Sequence, residues 1–389
     1  MKRSSAYTMR DVARLAHVSV TTVSSIVNGR GGISPELTRR VEDAIATLDF
    51  HPNEVARSLK VNQTFTIGMV VPDVSNLFFN DILRGAETKA RRKGFSIVLC
   101  DSHDDPQQER ELLVMLIRRR VDGILLASAQ SNLAESRLAA RNPPLVCIDR
   151  EPAGYYGGVV VIDNVGAGYQ AGRHLIELGH QRMAVITGPG TTLTGAGRLE
   201  GFRQALQEAN LPLCPEYIRE GAYSTEGGYR AAMEILRLQT PPTAVFACNN
   251  RITMGLMHAL KDLGLKCPQD VSVFGFDDFD WSELFSPRLT TIVQPSYEMG
   301  MRATEMLLQL IQARNQHLES PERNRVVLKA ELRIRDSAAP PASVAALTQQ
   351  SSISPIPRST ATAAAALQPR EKSPARKGQF VLDGQTSRS

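Results

Sequence analysis

The sequence predicts an α/β protein with a small all-α head, a hinge helix and a large core of two parallel-sheet lobes. Three observations lead there. The first fifty residues carry three capped helical patterns, with apolar residues at i, i+3 and i+4. From residue 65 onward, short continuous apolar runs alternate with amphipathic stretches, as expected for parallel strands covered on both faces by helices. This region runs to residue 336, roughly 270 residues, which exceeds one comfortable core and predicts two lobes.

In the head, Thr8 and Asp11 form a capping signal ahead of Val12, Ala13 and Ala16, a short first helix. His17-Val18-Ser19 makes a tight turn, and Ser19 caps a second helix whose Val23, Ile26 and Val27 face inward. Val20, Thr21, Ser24 and Ser25 then point outward, where small polar and methyl-bearing side chains can lie against base edges in a major groove. Ser34-Pro35 starts a third helix that buries Leu37, Val41, Ala44, Ile45 and Leu48. His51-Pro52-Asn53 stops it. Glu54 to Lys60 is a helix-competent stretch too short to fold alone; it offers Arg57 and Lys60 to phosphates and Leu59 as a minor-groove wedge.

Core strands are predicted at 67–71, 96–100, 123–127, 145–148, 159–162, 184–187, 244–247, 271–274 and 289–293. Helices are predicted at 82–93, 107–119, 166–178, 197–209, 226–237, 251–263 and 297–313. Open α/β sheets bind ligands at the carboxyl ends of their strands, so two facing sheets make a cleft. The polar groups following the strands suit hydroxylated ligands, with aromatic faces for C–H surfaces and Asp, Asn and Arg for hydroxyls.

Charge divides by segment. Residues 1–62 hold nine Lys/Arg against six Asp/Glu, and residues 337–389 six against two, on a chain of net +5. Basic ends on a mildly acidic body fit a nucleic-acid-binding head on a ligand-binding core. The five cysteines lack metal or redox spacing and read as reduced, structural residues. No apolar run is long enough to span a membrane and Met-Lys-Arg-Ser-Ser leads into no signal-peptide core, so a cytoplasmic protein is expected. Enzyme readings fare badly. Gly190-x4-Gly195 is followed by Ala-Gly rather than Lys-Ser/Thr, and no Gly-x-Gly-x-x-Gly follows the first core strand. Asp277, Asp278 and Asp280 lack a convergent His or Glu. Neither metal nor cofactor is expected.

Linked motifs across residues 8–336 resemble the lactose/galactose repressor family of bacterial transcriptional regulators. They are Met9-Arg10-Asp11-Val12-Ala13, Val18-Ser19, Thr22-Val23-Ser24, Val27-Asn28-Gly29, Ile33-Ser34, Thr38-Arg39 and Pro52-Asn53 through Ala56-Arg57-Ser58-Leu59-Lys60. The head and hinge are most similar to the purine-repressor pattern. The resemblance implies a core like periplasmic sugar-binding proteins and a homodimer on a palindromic operator. It implies DNA contacts by Thr8, Val20, Thr21, Thr22, Ser25 and Asn28, with Ala56, Arg57, Leu59 and Lys60 in the minor groove. By position it places Phe78, Phe79, Asp149, Thr194, Arg198, Tyr223, Asn249 and Asp277 on the effector.

Domain expectations follow: head 1–50, hinge and linker 51–64, core 65–336 and a disordered basic tail 337–389. Within the core, the N-lobe is expected at 65–161 and 294–322 and the C-lobe at 162–293 and 323–336. Leu347 and Leu367 stand alone among prolines, without a tetramerising heptad, so a dimer is expected.

Departures from the family bear on ligand and operator. His17 stands where many members have Gly, and His tolerates positive φ. Ser25 replaces a longer reading residue, so the operator sequence cannot be transferred. Thr192 stands where purine-binding relatives have Arg, which weighs against an oxopurine. The Phe78-Phe79 pair with Asp, Asn and Arg partners looks like the pentose and hexose binders. Arg251 adds a cation at the cleft edge that suits an anionic ligand such as a sugar acid or sugar phosphate, so a sugar or sugar acid is the expected effector. The expected function is an allosteric repressor; the alternatives are a sugar receptor without gene regulation and a nonspecific DNA-binding protein.

Overall fold

The computed structural model describes residues 7–27, 32–50, 63–129, 143–318 and 324–342, apart from the side chains of Asp280 and Trp281. The hinge at 51–62, Asn28 and the chain beyond 342 lie outside the described residues.

The head has three helices: α1 (Met9–Leu15), α2 (Val20–Val27) and α3 (Pro35–Leu48). The predicted caps form. The Asp11 carboxylate accepts from the Thr8 N–H and hydroxyl at 2.9 and 2.7 Å, and Ser19 Oγ accepts from Thr22 N–H at 3.0 Å. Val12, Ala13, Ala16, Val23, Val41, Ala44 and Phe50 make the core, while Leu37, Ile45 and Leu48 are only half-buried. His17 does adopt a left-handed φ of 51°, and Arg40 pins this turn by donating to the Ala16 carbonyl at 2.6 Å.

The core is two six-stranded sheets. In chain order the elements are β1 (Thr66–Val71), α4 (Leu77–Arg91), β2 (Ser96–Asp101), α5 (Pro106–Arg118), β3 (Gly123–Leu126), β4 (Leu145–Ile148), β5 (Gly158–Ile162), α6 (Asn164–Glu177), β6 (Met183–Thr187), α7 (Leu193–Glu208), β7 (Ile218–Glu220), α8 (Thr225–Leu236), β8 (Ala244–Ala247), α9 (Asn250–Leu263), β9 (Ser272–Phe276), β10 (Thr290–Val293), α10 (Ser296–Asn315), β11 (Arg325–Leu328) and β12 (Glu331–Arg333). The N-lobe sheet runs β11-β5-β4-β3-β1-β2 and the C-lobe sheet β12-β10-β9-β8-β6-β7. All pairings are parallel except β10 with β12. Strands β1, β3 to β6, β8 and β9 are almost wholly buried, which explains their unbroken apolar character.

The chain passes between lobes after β5, after β10 and between β11 and β12. The third passage falls later than expected. Residues 325–328 pair in parallel with β5 of the N-lobe, and the C-lobe resumes only at β12. This short edge strand alternates exposed and half-buried residues, and its three apolar residues between Arg325 and Lys329 make a shorter run than those that marked the other strands. β7 was missed for the same reason: it is three residues of Ile-Arg-Glu at an edge.

The expected tail boundary also moves. Ser337 is fully buried; its hydroxyl donates to the Val273 carbonyl at 2.7 Å and accepts from Thr290 N–H at 2.8 Å. The Ala339 carbonyl meets His180 and Ser272, both at 3.0 Å. Residues 337–339 are therefore a strap on the C-lobe. Their Ser-Ala-Ala composition conceals this because the attachment runs mainly through backbone groups.

A candidate effector cleft between two sheets

Eight side chains expected on the effector come together around one cavity of about 330 Å³ between the lobes: Phe78, Phe79, Asp149, Thr194, Arg198, Tyr223, Asn249 and Asp277. Their positions follow from strand ends and helix starts. Asp149 directly follows β4 and Asp277 directly follows β9, the third strand of each sheet. Both take left-handed backbone, with φ of 65° and 67°. Tyr223, after β7, does the same at 50°. Such strained non-glycine residues persist where the surroundings over-determine them, and they cluster at ligand sites.

Two helices begin earlier than expected, and this changes the setting of four residues. Asn76 caps α4 by accepting from Phe78 N–H at 3.1 Å, so Phe78 and Phe79 lie in its first turn, edge to face with centroids 5.1 Å apart. Thr192 caps α7, its hydroxyl accepting from Gly195 N–H at 3.1 Å. That places Thr194 in the first turn and Arg198 in the second, not at a helix start. The glycines of the run 188–197 suggested a loop. In the fold one of them answers a close approach: a Cβ on Gly195 would sit 2.6 Å from the Pro189 carbonyl oxygen.

Arg198 is buried and fixed on three sides. Its Nε donates to Asn164 Oδ1 at 2.9 Å, its Nη1 to the Cys248 carbonyl at 2.6 Å, and its guanidinium lies 3.7 Å from the Phe276 ring centroid. Tyr223 bonds Thr194 at 2.7 Å between hydroxyls and lies under the Arg150 guanidinium at 5.2 Å. Asn249 caps α9 through its Oδ1, which accepts from Ile252 N–H at 2.8 Å. Asp277 accepts from Gln294 Nε2 at 2.6 Å.

Burial dominates the electrostatics. It raises the Asp149 carboxyl to about 6, against the lowering pull of Arg198 and Arg150. Burial also raises Asp277, opposed first by Arg198 and then by its hydrogen bonds from Gln294 and Asn250. Three of the buried polar atoms without a hydrogen-bond partner among the described residues belong to this cavity: Asp149 Oδ1, Arg150 Nε and Gln294 Oε1. Buried polar atoms rarely go unpaired, and their convergence marks where a ligand's hydroxyls or amides would sit.

Arg150 and Gln294 were not among the expected effector contacts. Arg150 is nearly buried and donates to Asp104 at 2.5 Å. Gln294 sits at the second passage between lobes. Its position was visible in the sequence, but its inward aim is held by its bond to Asp277, distant in sequence. Arg251 corrects another expectation. Its Nη2 reaches Asp73 of the other lobe at 3.1 Å and also bonds Ser75, while Asn250 Nδ2 donates to Asn76 Oδ1 at 2.9 Å. The extra cation is thus committed to a latch across the cleft mouth and does not line the cavity. Asp278 is likewise held by Arg333 and Arg335, at 2.7 and 2.8 Å, as a structural ion cluster.

In the head, Val20 and Thr21 are exposed at the start of α2 and Ser25 is half-buried one turn on. Thr22 is half-buried and hydrogen-bonds the Ser19 hydroxyl at 2.8 Å, and Thr8 is exposed at the α1 cap. Asn28, Ala56, Arg57, Leu59 and Lys60 lie outside the described residues.

Residues 8–53 match the family described as bacterial regulatory proteins, lacI family, and residues 64–331 the periplasmic binding proteins and sugar binding domain of the LacI family. The chain belongs to the LacI family. It is a DNA-binding transcriptional regulator whose head is joined to a small-molecule effector domain. The HTH-type transcriptional repressor PurR of Photorhabdus laumondii is 39% identical over 307 residues, which cover 78% of this chain and 90% of that protein. The lac repressor dimer bound to operator and an anti-inducer superposes with a TM-score of 0.77 at 27% identity, covering 86% of this chain and 100% of that one. A LacI-family regulator from Enterococcus faecium with bound ribose aligns with a TM-score of 0.62 at 32% identity, over 71% of this chain and 99% of that one. No helix among the described residues is long and apolar enough to cross a membrane.

Proposed function

We infer that this chain is a cytoplasmic, homodimeric, non-enzymatic repressor whose effector is a neutral, monosaccharide-sized polyol. The observation carrying the effector class is the charge balance of the cavity. Asp73 is neutralised by Arg251 at the cleft mouth, and the two guanidiniums of the lining, Arg150 and Arg198, are then outnumbered by the carboxylates of Asp104, Asp149 and Asp277. No positive surplus remains for a carboxylate or phosphate, whereas unpartnered acceptors and a donor suit hydroxyls. About 330 Å³ lies at the small end of ligand pockets, matching one sugar ring better than a larger ligand. Phe78 and Phe79 would pack on its C–H face. Asp149, Thr194, Arg198, Tyr223, Asn249 and Asp277 would fix its hydroxyls, joined by Arg150 and Gln294.

A second reading, a purine, is favoured by the PurR relatives. Against it, Thr192 stands at the position where purine binders carry Arg, and its hydroxyl is already engaged with the Pro189 carbonyl at 2.8 Å.

On DNA, Val20, Thr21, Thr22 and Ser25, with Thr8 and Asn28, would read a half-site. Ala56, Arg57, Leu59 and Lys60 would enter the central minor groove, and two subunits would span successive major grooves about 34 Å apart. Effector binding sets the angle between lobes, and linkage makes its coupling to DNA reciprocal.

A thermal-shift panel of neutral sugars, sugar acids, sugar phosphates and purines tests the effector class. A ligand at a hundred times its Kd adds about 2.7 kcal/mol to stability. A neutral sugar hit that is lost in Arg198→Ala and Asp277→Ala supports the reading. A hit confined to purines or to anionic sugars overturns it.

A further inference from the structure

The end of the N-lobe where its parallel strands begin is strongly basic, and the DNA-binding reading does not use it. Helices α4 and α5 run back from the cleft and finish there, each on a run of cations: Arg91-Arg92-Lys93 and Arg118-Arg119-Arg120. All six side chains are exposed. Only Arg91 has an acidic partner within 4.0 Å among the described residues, Glu87 at that limit. The nearby carboxylate, Asp122, is buried and occupied: it accepts from Thr64 and Thr66 N–H at 3.1 and 3.2 Å and lies 3.8 Å from Arg314.

These same contacts place the basic triplets around the point where the chain arrives from the head. Thr64 Oγ1 donates to the Arg120 carbonyl at 2.9 Å, Ser96 N–H to the Phe65 carbonyl at 2.8 Å, and the Phe65 and Phe95 rings lie 5.5 Å apart. Thirteen residues, 51–63, separate Thr64 of this clamp from Phe50 at the end of the head core, a span of at most about 50 Å. Duplex held by the head is thus tethered close to the triplets, and B-DNA presents a charge every ~1.7 Å along its axis.

The ordinary explanation, cations complementing the helix dipole at C-termini, accounts for a charge in the last turn. The C-lobe helices show only that much, with Arg237 capping α8 and Lys261 in the last turn of α9. None of α6, α7, α8 and α9 ends on a run of cations. We propose that the two triplets form a second, sequence-independent DNA surface on the core, gripping phosphates that flank the operator and extending the footprint beyond the head. This rests on DNA binding by the head, and it assigns the effector core a direct part in that binding.

The test compares the full-length wild type with two variants, Arg91→Gln/Arg92→Gln/Lys93→Gln and Arg118→Gln/Arg119→Gln/Arg120→Gln. Affinity is measured from 50 to 200 mM salt on a palindromic operator with long flanks, the same operator without flanks, and an unrelated long duplex. Thermal unfolding confirms that each variant is folded, and either one alone suffices. Each phosphate contact contributes about 0.9 to the slope of log K against log salt, so losing one per subunit of a dimer lowers the slope by about 1.8. Across that salt range this is roughly a twelvefold difference in salt sensitivity. The variants should lose affinity equally on both long duplexes and keep the wild-type preference for operator. Removing the flanks should bring the wild type down to the variants. Unchanged slopes and no flank dependence in a folded variant overturn the proposal. If the wild type does not prefer the palindrome, the reading of the head fails separately, and the slope on the unrelated duplex still decides the role of the triplets.

Discussion

Replacing Asp149 with Asn should stabilise the empty protein increasingly as pH rises, while weakening effector binding. The side chain is 7% exposed, directly follows β4 and has one oxygen without a hydrogen-bond partner. Burial raises its carboxyl from 3.8 to about 6. A carboxyl raised in the folded state contributes stability that is fully present below its unfolded value and lost as pH climbs through the folded one. At about 1.4 kcal/mol per pH unit, holding it ionised costs about 1.5 kcal/mol at pH 5 and about 3 kcal/mol above pH 7. Asn keeps the shape and carries no charge. Urea unfolding of wild type and Asp149→Asn from pH 4 to 8 should therefore show a stability difference that grows by about 2.5 kcal/mol and levels off above pH 7. Effector affinity should move the other way: losing a charge-assisted bond costs about 1.5–3 kcal/mol, a tenfold to hundredfold weaker Kd by calorimetry. A stability difference that does not vary with pH would refute the argument, because the buried ionised carboxylate would then carry no desolvation cost.

Three further outcomes follow from contacts elsewhere. Asp73→Ala and Arg251→Ala should each weaken effector affinity a few-fold, and the double variant should lose less than the sum; additive losses in the cycle would show that the bond across the cleft mouth carries no coupling. Ser337→Ala removes two buried hydrogen bonds and should lower stability by about 1–3 kcal/mol in thermal unfolding, with head function retained in the folded fraction. Gly201→Ala places a methyl 1.8 Å from the Val165 carbonyl oxygen, where α6 and α7 touch through their backbones. It should destabilise the core by several kcal/mol, and a neutral result would mean the helices separate freely.

The head was legible because its information is local. Thr8, Ser19 and Ser34 each serve a helix start a few residues away, and side-chain spacing alone fixes which face of α2 carries Val20 and Thr21. The central strands were legible because burial on both faces leaves them continuously apolar. The positions of the eight cleft residues came from the family resemblance, and the strand-end rule explains why they converge. The sequence could not give what depends on partners distant along the chain. Arg251 read as a free cation until Asp73, nearly two hundred residues away, took it up. Arg150 and Gln294 became candidate ligand contacts only when two sheets closed over them and left their polar atoms unpaired. Residues 325–328 joined the N-lobe through backbone hydrogen bonds, which any side chain permits, and 337–339 joined the C-lobe through the Ser337 hydroxyl and the Ala339 carbonyl, which no composition signals. Local capping and periodicity thus determined the elements, while long-range pairing, desolvation and charge neutralisation decided what the cleft presents to a ligand.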